Sequence, residues 1–249
     1  MELSTVAIVT GASRGLGHAL ALGLLKPGTQ LITIARSHNA ALAAEAAKSG
    51  GLLHQVQADL ADPTAAAASA KEVMAKLPQG IQRYLLVNNA GTVEPINQTP
   101  NLDDAAAIAT AFNLNVTSVM LLTSAFLQAT QGAPDRRILN ISSGAGRNPT
   151  PGWGVYCATK AALDHYTQVL HAENHGVRIA SLAPGIIDTG MQEKIRGSDA
   201  GSFPNVERFT QMHEQGQLSA PDAVAEKILR YIAQDTFGAT VLDDIRNYA

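Results

Sequence analysis

A doubly wound α/β fold, a parallel sheet of about seven strands with helices on both faces, is what this sequence predicts, and three observations predict it. Short apolar and β-branched runs alternate with helical stretches from Thr5 to the C-terminal end. The first run ends in a glycine-rich turn, Thr10-Gly11-Ala12-Ser13-Arg14-Gly15-Leu16-Gly17, and a helix follows directly. Polar turn residues then follow several later strands, at what would be the carboxyl edge of a parallel sheet, where doubly wound folds bind ligands.

In order, Thr5 to Val9 is the first strand and Ala19 to Leu25 a helix; Gln30 to Ala35 is the second strand and ends at Arg36-Ser37. The alternation continues with Ala40 to Lys48 (helix), Leu52 to Gln57 (strand), Pro63 to Leu77 (helix) and Arg83 to Val87 (strand), the two Ala-rich helices using strong helix formers. Asn113 to Ala129 reads as a longer apolar-periodic helix carrying Asn115, which alone is uninformative because a polar residue in such a helix usually faces water. Arg136 to Ser142 is the fifth strand and delivers Ser143 to the sheet edge. A loop rich in Gly and Pro curls back to a helix from Tyr156 to Leu170. Val177 to Leu182 is the sixth strand, running out through Ala183-Pro184-Gly185-Ile186-Ile187-Asp188-Thr189. From Gly190 to Gln217 the pattern weakens to the composition of a mobile lid. Pro221 to Gln234 is a final helix with Ser219 as its cap, and Ala239 to Leu242 a last strand.

The chain has 249 residues, 46% hydrophobic and 16% charged, and no linker-like run divides it, so one domain spanning 1–249 is expected. A net charge of -3 with seven scattered histidines offers no basic face for nucleic acid or an anionic membrane. The single cysteine, Cys157, excludes an internal disulfide and fits a reducing compartment. MELSTVAIVTGAS has only a short apolar run and no cationic lead, so neither a signal peptide nor a membrane span is expected, and a cytoplasmic location follows. No metal is expected: His171 and His175 sit in HAENH, which is not HExxH, and no third ligand is apparent.

Two stretches carry chemistry. In the glycine-rich turn, Gly11, Gly15 and Gly17 allow positive φ and let backbone N–H groups approach a pyrophosphate at a helix N-terminus. After the second strand an acidic residue would bind a ribose 2′-hydroxyl; here Arg36 stands instead, and with Arg14 it offers charge suited to a 2′-phosphate, which favours NADP(H). The second stretch is Asn140 to Lys160, NISSGAGRNPTPGWGVYCATK. Tyr156 and Lys160, four apart on a helix, share a face, so the ammonium is expected to lower the phenol pKa and make Tyr156 a general acid or base. Ser143 would hydrogen-bond the oxygen that gains or loses the proton. No GxSxG elbow surrounds Ser143, so a hydrolase is not expected.

Together, Thr10-Gly11-xxx-Gly15-x-Gly17, Asn88-Asn89-Ala90-Gly91, Asn115, Ser143, Tyr156-xxx-Lys160 and Pro184-Gly185 resemble the short-chain dehydrogenase/reductase family, in the right order over essentially the whole chain. The resemblance implies a Rossmann-type fold and an NAD(P)-dependent oxidoreductase, a homodimer or homotetramer assembled through the helices holding Asn115 and Tyr156. It implies Tyr156 as proton donor, Lys160 lowering its pKa and holding the nicotinamide ribose, Ser143 orienting the carbonyl, and Asn115 completing a proton relay through water. Around the cofactor it places Gly11, Ser13, Arg14, Gly15, Leu16 and Gly17, then Arg36 and Ser37. Asp59-Leu60 would lie at the adenine, Asn89-Ala90-Gly91 and Pro184-Gly185 along the crevice, and Ile187 and Thr189 at the carboxamide.

The stretches GWGVYCATKAALDHYTQVLHAE and APGIIDTGMQ are similar to the sepiapterin reductase branch, whose bacterial relatives reduce benzil and other vicinal diketones. That likeness implies an NADPH-dependent reductase of a small-molecule carbonyl. Ser143, Tyr156 and Gly185 would then hold the substrate, Trp153, Met191 and Phe203 would be available as an apolar wall, and an acid near the C-terminus, Asp243 or alternatively Asp244, would anchor it. The alternatives are a 3-oxoacyl or hydroxysteroid reductase of the same family and a non-catalytic NADP(H) sensor.

Overall fold

The computed structural model describes residues 2–248. Strands β1 (Thr5–Thr10), β2 (Thr29–Ala35), β3 (Leu52–Gln57), β4 (Arg83–Asn88), β5 (Asp135–Ile141), β6 (Arg178–Ala183) and β7 (Leu242–Asp244) form one parallel sheet in the order β3-β2-β1-β4-β5-β6-β7. The inner strands are apolar at successive positions because both faces are covered: beyond its first residue β1 is buried throughout, as are β4 and β6. β3, at the edge, instead mixes exposed and covered positions, with Val56 alone buried. The chain runs outward from β1 to β2 and β3, then returns to β4 on the other side of β1. The strand order therefore reverses between β1 and β4, and a crevice opens at their carboxyl ends.

Helices α1 (Gly15–Leu24), α2 (Ala40–Ser49) and α9 (Pro221–Ala233) cover one face, where Leu20, Leu42 and Ile228 pack with Leu31 and Leu182. Helices α3 (Pro63–Ala75), α5 (Ser118–Ala129) and α6 (Gly154–Glu173) cover the other, where Val73, Leu122, Phe126 and Leu170 pack on Leu86 and Ile138. Capping explains several of the starts: Asn39 Oδ1 accepts from Leu42 N at 3.1 Å, and Asp62, followed by Pro63, accepts from Thr64 N at 2.8 Å.

The structure corrects the expectations from sequence at four places. Helix α4 (Ala105–Phe112) precedes Asn113 and is capped by Asp104, which accepts from Ala107 N at 3.0 Å; a π-helical segment, Asn113–Thr117, joins it to α5. The resulting 25-residue run Ala105–Ala129 contains an 18-residue window with a mean hydropathy of 1.6, enough by length and composition to cross a membrane. Here it is a layer helix with Leu122 and Phe126 in the core, leaving Phe112 and Met120 exposed. The expected lid at Gly190 to Gln217 is built of helices α7 (Gly190–Arg196) and α8 (Val206–Glu214) around a fully buried Phe203. Its Gly/Ser/Asp stretch is a tight turn between the two helices, closed by Asp199 accepting from Ser202 N at 2.9 Å. Ser219 is not the cap of α9, because Ala220 holds that position with no side-chain bond; Ser219 is instead bridged to Ile187. The last strand begins where the expected one ends, because only Leu242–Asp244 pairs with β6.

Candidate active site

The glycine-rich turn is held by the ends of β1 and β4. Thr10 Oγ1 accepts from Asn89 N and Ala90 N, both at 2.9 Å, and Asn89 Nδ2 donates to Thr10 O at 2.9 Å. A Cβ on Gly17 would lie 2.3 Å from Gly11 O, and one on Gly11, at φ 70°, would lie 2.9 Å from Ala90 Cα, so only glycine lets these segments approach. Helix α1 starts without a side-chain cap and without an acidic residue in its first turn, which leaves its N–H groups and positive dipole end to a ligand. Arg36 and Arg14 are exposed, line the same cleft and form no ion pair among the described residues. This donor set fits a dinucleotide with an extra phosphate. Asp59, Leu60, Asn89, Ala90 and Gly91 extend the lining on one side, and Pro184, Gly185, Ile187 and Thr189 on the other. Ser37, expected beside Arg36, is exposed and outside the lining.

Ser143, Tyr156 and Lys160 meet at the far end of this cleft of about 1150 Å³. Ser143 follows β5 and accepts from Ala145 N at 3.1 Å. Its loop can lie against α6 because Gly146 has no side chain: a Cβ there would sit 2.8 Å from the Lys160 carbonyl carbon. Lys160 is buried and donates to Ile141 O at 2.8 Å, with Nζ 5.8 Å from the Tyr156 ring centre. Burial pushes the Tyr156 phenol up to about 12; the Ser143 hydroxyl pulls the other way, and Cys157 adds to the rise. The expected lowering by Lys160 is therefore not what prevails here, since lost hydration outweighs a cation directed at a carbonyl. Burial likewise brings Lys160 down to about 8, against the pull of Asp164 one turn further along the helix. Tyr156 thus holds its proton at neutral pH, the form a proton donor needs.

Asn115 does not face water. It is 1% exposed, accepts from Thr92 N at 2.9 Å, and donates to Thr92 O and Thr159 Oγ1 at 2.9 and 3.0 Å. A Cβ on Gly91 would lie 3.2 Å from its Oδ1 and 3.7 Å from Lys160 Nζ, so Asn115 backs the site from behind the lining. It lies in the π-helical segment, a local unwinding frequent at functional sites.

Beside Tyr156 the cleft is apolar. Trp153 sets its edge toward Tyr156, ring centres 5.5 Å apart at 79°, and stacks on Phe203 at 4.9 Å and 13°. Phe203 therefore stands behind Trp153 rather than on the wall, where Phe209, Ile96, Ile195 and Met191 stand instead. Sequence pattern could not find Ile96 or Phe209, which reach the lobe from a loop and from α8. The C-terminal acid that faces the cleft is Asp244, not Asp243. Asp243 is buried and accepts from Tyr248 Oη and from Asp244 N, whereas Asp244 lines the cleft and holds Arg246 at 2.6 and 2.8 Å. A second group missed in the sequence is Arg147, which ties the Ser143 loop to Asp164 at 2.9 Å and to the carbonyls of Asp243 and Ser181.

The family model described as short chain dehydrogenase matches residues 5–200. A benzil reductase ((S)-benzoin forming) from Bacillus cereus is 37% identical, over 92% of this chain and 94% of its own. A sepiapterin reductase from Meriones unguiculatus is 37% identical, over 93% of this chain and 92% of its own. Among solved structures, the KRED1-Pglu enzyme superposes with a TM-score of 0.81 at 30% identity, covering 95% of this chain and 99% of that one. A 3-oxoacyl-[acyl-carrier protein] reductase from Brucella melitensis in complex with NAD superposes with a TM-score of 0.81 at 25% identity, covering 98% and 96%. The chain belongs to the short-chain dehydrogenase/reductase family and is an oxidoreductase that acts on a carbonyl or carbinol with a nicotinamide cofactor.

Proposed function

We propose that this protein is an NADPH-dependent reductase of vicinal diketones and related dicarbonyl compounds, of the benzil and sepiapterin type. One observation carries the reading: Tyr156 beside Ser143 faces an aromatic lobe at one end of a cleft whose other end presents Arg36 and Arg14, which form no ion pair among the described residues. A nucleotide held by the glycine-rich turn with Arg14 and Arg36 would supply the hydride for the carbonyl carbon. Ser143 holds the carbonyl oxygen toward Tyr156, whose Oη gives up its proton to that oxygen as negative charge develops. Lys160, still largely an ammonium at pH 7, offsets the charge left on the phenol and would hold the ribose. Trp153, Phe209 and Met191 exclude water and pack on a flat, apolar substituent next to the reacting carbonyl. The ionic groups that line the cleft around this lobe are paired with each other, Asp244 with Arg246 and Glu94 with Lys194, which suits a neutral diketone.

The same reading includes a cytoplasmic homo-oligomer, its copies packed through the apolar faces of α5 and α6 where Met120 and Val169 are exposed. The deciding experiment follows the loss of reduced-cofactor absorbance with NADPH or NADH and each of benzil, sepiapterin and an acetoacetyl thioester. Oxidation of NADPH by the diketone or the pterin, abolished in Tyr156→Phe while NADPH still binds, is the expected result. Turnover of the thioester alone, or full turnover in Tyr156→Phe, overturns it.

A further inference from the structure

Asn39 connects the two walls of the cleft's nucleotide end without lining it. Its Oδ1 caps α2 through Leu42 N, which identifies that end of the amide as the oxygen. Its Nδ2 lies on the other side, 3.3 Å from Ala12 O, 3.2 Å from Ser13 O and 2.7 Å from His18 Nδ1, so two N–H groups share three acceptors on the glycine-rich turn and α1. The Asn39 backbone is clamped as well: its N–H donates to Gln55 Oε1 at 2.7 Å and its carbonyl accepts from Gln55 Nε2 at 3.1 Å, both from β3. The exposed stretch Arg36-Ser37-His38 is therefore fixed at one end by β2 and at the other by Asn39. Ser13 and Arg14 line one side of the cleft there and Arg36 the other. Below them, among the described residues, the further tie between the two segments is Gly11 N to Ile34 O at 2.8 Å, at the sheet itself.

We propose that Asn39 is a positioning residue for recognition of the nucleotide's 2′-phosphate. It sets the distance between the Arg36 segment and the Ser13-Arg14 turn, so that charge from both sides converges on one phosphate, and it touches no part of the nucleotide. The inference rests on the NADPH reading. The test uses Asn39→Ser and Asn39→Thr, each of which keeps a good helix cap at the start of α2 and adds no charge while removing the amide donor to Ala12 and Ser13. Both variants should lose no more than a few degrees of melting temperature, from the hydrogen bonds to Ala12 and Ser13, and should keep kcat at saturating NADPH. KM for NADPH should rise about tenfold, the effect of moving one charge-assisted hydrogen bond to the phosphate out of register, while KM for NADH stays near wild type. Loosening of the fold in general would weaken both nucleotides alike, and that result overturns the inference. So does an unchanged NADPH preference in both variants. A wild-type protein that prefers NADH overturns the NADPH reading itself, and this inference with it.

Discussion

Replacing Lys160 by Met should make the nucleotide-free protein more stable while ending turnover. The pKa of Lys160 falls from 10.5 to about 8 because burial withdraws water from the charge, and at pH 7 this corresponds to about 3 kcal/mol of lost stability. The substitution also removes the hydrogen bond from Nζ to Ile141 O, which gives back roughly 1 to 2 kcal/mol. The net gain is about 1 to 2 kcal/mol, or roughly 2 to 8 °C in melting temperature for a chain of this size. Between pH 8 and 10.5 the unfolded chain keeps the lysine proton and the native state has lost it, so wild-type stability rises with pH through that window. The Met variant has no such group, and its advantage should shrink by about 2 kcal/mol between pH 7 and pH 10. Equilibrium urea unfolding followed by the fluorescence of Trp153, the single tryptophan and a buried one, measures both quantities. A variant less stable than wild type at pH 7, or one whose advantage grows toward pH 10, would refute the reasoning.

The same titration should govern activity, so kcat/KM for ketone reduction should fall as pH rises through about 8, where Lys160 loses its proton; a profile flat well beyond that pH would contradict the assignment. In Gly17→Ala the new Cβ would lie 2.3 Å from Gly11 O and 2.4 Å from Asn89 Nδ2. The turn must shift, destabilising the protein by about 1 to 3 kcal/mol and weakening nucleotide binding, as calorimetric titration would show. Trp153→Ala removes the stack on Phe203 and the edge contact to Tyr156. KM for a diaryl diketone should rise about two- to tenfold, while a dialkyl diketone, with no ring to stack, should be affected less.

Much of this site is legible in the sequence because it sits where the backbone is most constrained. A strand that must end in a crossing of two segments needs glycine at Gly11 and Gly17, and a tyrosine and lysine four apart on α6 share a face whatever surrounds them. Distances along the chain carry no information about which side chains turn inward at the ends of elements. Asp243 and Asp244 are adjacent and chemically identical, yet Tyr248 claims the first and the cleft receives the second. Asn115 resembles a solvent-facing residue in an apolar helix because its partner, the Thr92 backbone, lies on a loop 23 residues away. Helix α4 escapes the pattern because its Ala-rich stretch directly precedes the Asn113 segment, although Asp104 stands before it as a cap. The lid reads as unstructured because α7 and α8 are each under ten residues, too short for a periodic pattern to stand out, and they are held by Phe203 and by the Lys194–Glu94 ion pair across the cleft.

The two shifted groups also bear on direction. Burial raises Tyr156 and lowers Lys160, so both are pushed toward their neutral forms, and Trp153 packs against the Tyr156 ring. Oxidation of an alcohol would ask Tyr156 to act as a base, and the anionic phenolate this needs is scarce with the group held at about 12. Reduction asks only that a neutral phenol give its proton to an oxygen gaining negative charge, an acceptor more basic than phenolate, and the proton transfer is then downhill. The same burial that makes Lys160 costly to the fold therefore keeps Tyr156 in the protonated form that reduction uses at neutral pH.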